Sequence, residues 1–245
     1  AQVAFDPAAH FSALEAGALD RFSQFALVAA VQAIADAGLQ LAGEDCTRVG
    51  VCLGTGLGGA QTIDDSYRAL HGRGAAAVRP LTVLMAMNTA AASQIAIKHA
   101  LMGPNMTLST ACSSAAVAIG EAYRMIRHGY ADLMVAGGAE ALLTEGALTA
   151  WGALRTLATV DADDPAASCR PFSKDRSGLV LGEGAAIVVL EAADHAVARG
   201  ATVHAELTGF GLSNDVAHIA RPSVEGQVRA MRAALADAGV SAQQI

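Results

Sequence analysis

The sequence predicts an α/β fold built on a largely parallel sheet, and three observations carry that expectation. Short apolar runs bounded by glycine or proline alternate with longer segments of helical periodicity, the pattern of strands joined by crossover helices. Hydrophobic residues make up 53% of the 245 positions and charged residues only 16%, enough for a large core with helices on both faces of a sheet. Aromatic residues are just 4% against 25 glycines, which suits helices packed closely on strands.

Asp20 is placed to cap a helix running to Gly38, with Phe22, Phe25, Ala26, Ala29, Ala33 and Ala37 on its buried face. Residues 49–53 read as a short buried strand, followed by the turn Gly54-Thr55-Gly56-Leu57-Gly58-Gly59. A helix over about 60–70, a flexible stretch at 72–77 and one helix over 83–101 come next, the last stopped by Gly103-Pro104. Residues 105–109 form a strand and 114–129 a helix whose first turns are apolar nearly all round, hence buried. A strand at 133–136 closes at Gly137-Gly138, and a helical segment at 142–151 gives way to a polar loop at 161–174. Strands at 185–191 and 203–212 and helices at 194–199 and 223–238 complete the reading.

Several function classes are excluded. A net charge of −7 with no basic stripe argues against general nucleic-acid binding. No run of about 18 apolar residues supports a membrane span. The four cysteines show no paired spacing, which fits a reduced, cytoplasmic interior. None of the seven histidines stands in a metal-binding spacing, and His218 reads as a loop residue. The turn at 54–59 matches the G-x-G-x-x-G dinucleotide pattern, but Arg79-Pro80-Leu81 stands where its acidic residue belongs. A tight turn permitting close backbone approach is the better reading, and no cofactor is expected.

The most informative stretch is Thr110-Ala111-Cys112-Ser113-Ser114. It places a cysteine between a strand and the amino end of a buried helix, where unpaired N–H groups and the helix dipole favour a thiolate. Cys112 is therefore the candidate nucleophile, whereas Cys46, Cys52 and Cys169 lack such a setting and read as structural. No convincing base or cationic partner for Cys112 is visible. Glu183, in Gly182-Glu183-Gly184-Ala185, reads as pairing with a backbone group or with Arg176.

Taken together, Asp20-Arg21-Phe22, the 54–59 turn, Gly103-Pro104-Asn105, Thr110–Ser114 and Ala136-Gly137-Gly138-Ala139-Glu140 resemble the amino-terminal part of a β-ketoacyl synthase of the thiolase-like superfamily. Arg170-Pro171-Phe172 and the Gly182–Ala185 segment complete the resemblance, which covers essentially the whole chain. It implies a layered α-β-α-β-α fold, a homodimer, an acyl thioester on Cys112 and decarboxylative condensation with a malonyl-carrier protein. It further implies that Met87 lines an acyl pocket and that Arg124 and Arg127 contact the acyl carrier protein. The family's usual docking cations are replaced here by Leu14, Gly17 and Ala18. By the same resemblance the first strand precedes residue 1, and the catalytic histidines and lysine follow residue 245. The chain alone is then expected to be inactive in condensation. A thiolase-like acyl-CoA enzyme and a non-catalytic synthase fragment or partner subunit are the alternatives; retention of Cys112 counts against a degenerate partner.

Overall fold

One four-stranded sheet organises the chain, described over residues 1–245 in a computed structural model. In chain order the elements are α1 (Ala13–Gly17), α2 (Arg21–Asp36), β1 (Val49–Gly54), α3 (Ala60–Arg73), α4 (Thr82–Ala86), α5 (Ala90–His99) and β2 (Asn105–Leu108). They continue with α6 (Ser114–Arg127), β3 (Leu133–Ala141), α7 (Glu145–Ala153), β4 (Glu183–Glu191), α8 (Ala193–Ala198) and α9 (Val224–Ala238). The strand order is β2-β1-β3-β4. β1 pairs parallel with β2 and β3, whereas β4 runs antiparallel to β3. The chain leaves β3 through α7 and a long loop, then returns at the same end, with Glu183 opposite Ala141. No helix carries it back across the sheet face, so the return strand is antiparallel.

Side-chain alternation divides the core in two. Val49, Val51, Leu53, Leu133 and Val135 pack against Phe22, Ala26, Ala30 and Ile34 of α2 and Ala92 and Ile95 of α5. Cys52, Met134 and Ala136 point the other way, onto Ala118 and Ala122 of α6. The buried stripe of α2 thus runs through Ala30 and Ile34 rather than Ala29 and Ala33. α6 is buried on one face only, with Ala116 exposed in its first turn.

Three further expectations change. The helix expected over 83–101 breaks at Met87, whose ψ is 138°. The Ala86 carbonyl accepts the Gly59 N–H, and Ala90 bonds to Met87 instead, so the helical ladder is interrupted. β3 runs on through Gly137-Gly138 because it is paired on both sides. Residues 203–212 form no strand: they lie between α6 and α9, where Tyr123 donates to the Thr208 carbonyl and the Phe210 N–H to Asp237. With no neighbouring strand to exchange hydrogen bonds, an extended segment gains no ladder.

Asp20 joins two helices. Its carboxylate accepts the Phe22 N–H of α2 at 3.1 Å and the Thr62 N–H of α3 at 2.8 Å, while burial pushes its pKa up. Asp20→Ala strands both donors in a buried site, and urea unfolding is expected to show a loss of about 3 kcal/mol. A loss under about 0.5 kcal/mol would contradict this role.

His195 clasps the far edge. Its Nδ1 lies 2.6 Å from Glu191 and its Nε2 3.1 Å from Glu44, and Arg199 forks onto Glu191 at 2.7 Å. The hydrogen bond to Glu191 raises the His195 pKa, opposed by burial and assisted by the charge of Glu44. A histidine pKa raised by folding contributes fully below the unfolded value of about 6.5 and less as pH rises through the folded value. The stability gap between wild type and His195→Gln should therefore be widest below about pH 6.5 and shrink above it. A gap independent of pH would contradict the charged clasp.

Candidate active site

β2 ends at Leu108 and α6 begins at Ser114, so residues 109–113 make the turn that carries the cysteine. Ala111 has φ 55°, the left-handed region, which costs a non-glycine residue about 1–2 kcal/mol. Hydrogen bonds hold it there. The Thr110 N–H donates to Ser114 Oγ at 2.8 Å, the Ser114 hydroxyl to the Ala111 carbonyl at 2.6 Å, and the Ser113 hydroxyl to the Thr110 carbonyl at 2.8 Å. Ser114 is buried, whereas Cys112 is exposed. The strained turn thus presents a thiol to solvent just ahead of a 14-residue helix. The Cys112 N–H makes no hydrogen bond within the chain, leaving it free to bind a developing oxyanion.

Two glycines bring the helix this close. Gly54 of β1 and Gly138 of β3 sit opposite each other on the α6 face. A Cβ at Gly54 would lie 2.1 Å from the Ser114 backbone, and one at Gly138 would lie 2.6 Å from the Ala115 methyl. Any side chain at either position would lift the start of α6 from the sheet.

The 54–59 turn binds an anion, but it is the protein's own. Glu140 Oε2 accepts the Gly56 N–H at 2.7 Å and the Leu57 N–H at 3.3 Å. These are the groups a nucleotide phosphate would require, so the dinucleotide reading fails on occupancy of the donors as well as on pattern.

The remaining candidates are dispersed. Met87 is 49% exposed at the break between α4 and α5. Arg124 pairs with Glu121 at 2.8 Å and lies over the Phe210 ring. Arg127 pairs with Asp237 at 2.7 Å and donates to the Tyr123 hydroxyl. Glu183 pairs with Arg21 through a two-pronged contact and also accepts the Val3 N–H, while Arg176 turns to the Ser173 carbonyl. The Arg21 hydrogen bond lowers the Glu183 pKa, so the carboxylate ties the amino-terminal segment to β4. Burial pushes the Cys52 thiol up to about 11, in keeping with a packing role. Cys169 is exposed rather than packed, and His218 is an exposed loop residue whose Nδ1 accepts the Ala220 N–H. A cavity of about 470 Å³ beside α3 is lined by Arg68, Arg73 and Arg79 and not by Cys112.

The sequence singles out Cys112 as the candidate, but not the groups that hold its turn: Ser114, the paired Gly54 and Gly138, and Glu140. Each glycine was visible as a strand terminator, yet only the register between β1 and β3 shows that they face each other.

The β-ketoacyl synthase N-terminal domain model matches residues 2–196. The 3-oxoacyl-[acyl-carrier-protein] synthase 2 of Vibrio cholerae is 42% identical over 243 residues, covering 98% of this chain and 58% of that protein. A β-ketoacyl synthase from Burkholderia phymatum superposes with a TM-score of 0.89 at 36% identity, covering 100% of this chain and 60% of that one. A ketosynthase bound to a hexaketide, solved in complex with its type II PKS acyl-carrier protein, gives a TM-score of 0.86 at 31% identity over 90% of this chain and 56% of that one. The chain therefore spans somewhat under two thirds of these relatives. The exposed cysteine of the strained turn, the glycine pair beneath it and the thiolase-like layering are thus features of a chain that belongs to the β-ketoacyl synthase family.

Proposed function

We propose that the intact protein is a β-ketoacyl synthase of fatty-acid or polyketide assembly, with Cys112 as its acyl-carrying nucleophile. The observation that carries this reading is the exposed Cys112 on a strained turn ahead of α6. In the first half-reaction the thiolate attacks the carbonyl of an acyl-carrier thioester. The oxyanion rests on the Cys112 N–H, and the carrier thiol leaves. In the second, a malonyl-carrier thioester loses CO₂. The carbanion forms a carbon–carbon bond to the acyl carbon, and the cysteine thiolate leaves. Sulfur suits both steps, being a good nucleophile and a good leaving group.

Met87, at the break between α4 and α5, is our candidate for the acyl-pocket wall. Arg124 and Arg127 are our candidates for the carrier protein's acidic surface. Both already hold carboxylates, Glu121 and Asp237, so docking would exchange one carboxylate partner for another. The exposed Val83, Leu84 and Ile97, together with the edge strand β2, favour a homodimer. Four free thiols fit a cytoplasmic setting, and no helix is long and apolar enough to cross a membrane.

The test is the mass added to Cys112 in the full-length protein after exposure to a panel of acyl-carrier proteins and acyl-CoAs. An acyl adduct from carrier thioesters is expected. Transfer from acyl-CoA alone would move the reading to a thiolase-like enzyme, and no adduct from either would overturn it.

A further inference from the structure

We propose that Glu140 is a positioning residue for the site, fixing the turn that joins the cysteine to the helix break at Met87. The inference rests on Cys112 as the acyl carrier. Glu140 lies on the α6 face of β3, two residues beyond Gly138. Its Oε2 takes the Gly56 and Leu57 N–H groups and lies 3.5 Å from the Thr55 hydroxyl oxygen. That hydroxyl oxygen accepts the Gly58 N–H at 3.1 Å. A carboxylate receiving peptide N–H groups makes charge-assisted bonds, stronger than those of a neutral acceptor.

The grip is passed on in two directions. Toward the nucleophile, the Gly56 carbonyl accepts the Ser109 hydroxyl at 3.2 Å, and Ser109 stands three residues before Cys112 in the strained segment. Toward Met87, the Gly59 N–H donates to the Ala86 carbonyl at 3.3 Å. Gly58 lies so close to Asn88 that a Cβ there would stand 2.4 Å from its Oδ1. The turn is therefore anchored on both neighbours of Met87, Ala86 and Asn88, and on the approach to Cys112. Glu140 Oε1 is buried with no partner, so one oxygen alone holds the turn. Removing it leaves the Gly56 and Leu57 N–H groups unpaired and lets the turn shift against both ends.

The experiment uses the full-length protein and two readings. One is the second-order rate of Cys112 alkylation by iodoacetamide. The other is the ratio of acylation rates for short and long acyl-carrier thioesters. Glu140→Ala is expected to slow alkylation about tenfold or more and to change the chain-length ratio. Glu140→Gln keeps one acceptor oxygen and should recover most of the alkylation rate, a rescue that loss of general stability would not predict. Unchanged alkylation and an unchanged ratio in folded Glu140→Ala would overturn the proposal, as would equal losses in the two variants. If Glu140→Ala does not fold, Ser109→Ala cuts the link to Gly56 alone: slower alkylation at unchanged Tm supports the proposal, and no change overturns it. Wild-type protein that is alkylated but never acylated would instead sink the synthase reading, while the alkylation rates still decide the role of Glu140.

Discussion

Cys112→Ala is expected to abolish acyl-enzyme formation in the full-length protein while leaving the fold intact. The thiol is exposed and accepts no packing role, so its removal creates no cavity and Tm should move by no more than a degree or two. Under the proposed covalent route the loss should be total: alanine offers no atom to hold the acyl group, and the carrier thioester should remain unconsumed. Mass spectrometry of the protein after incubation with acyl-carrier protein reads this directly. Condensation at the wild-type rate by Cys112→Ala would eliminate the covalent mechanism.

Gly54→Ala is expected to have the next largest effect, through geometry rather than chemistry. Its new methyl would stand 2.1 Å from the Ser114 backbone, which cannot yield as a flexible side chain would. The start of α6 must move away from β1, breaking the Ser114 hydrogen bonds that hold Ala111 in its left-handed conformation. Overpacking at such a contact costs about 3 kcal/mol. A displacement of about 1 Å at the nucleophile costs about a hundredfold in rate. Urea unfolding and the rate of Cys112 acylation measure the two effects separately. A Gly54→Ala protein with wild-type acylation would show that close approach of α6 to the sheet does not set the cysteine's position.

How much of this was legible beforehand depends on the range of the interaction. The cap at Asp20, the stop of α9 at Gly239 and the Cys112 turn are local: each rests on residues a few positions apart, and each was readable. The helix break at Met87 was not, because its cause is a hydrogen bond from Gly59 to Ala86, between segments distant in the chain. For Glu183 the sequence points to a backbone group or to Arg176, which is near in the chain; the carboxylate does accept a backbone N–H, that of Val3, but its cation is not Arg176. Its partner is Arg21, 162 positions away, sandwiched toward the ring of Phe25 at 4.8 Å. The 203–212 segment has the composition of a strand, but a strand also needs a neighbour, and composition says nothing of that.

The sequence by itself determined that the chain is an α/β protein with a cysteine at a strand-to-helix turn, because periodicity, glycine stops and helix caps act over one or two turns of chain. Tertiary structure alone decided what surrounds that cysteine's turn. The register that sets Gly54 beside Gly138, and the carboxylate of Glu140 inside the glycine turn, are contacts between strands, and a strand's partner is chosen by the packing of the whole core.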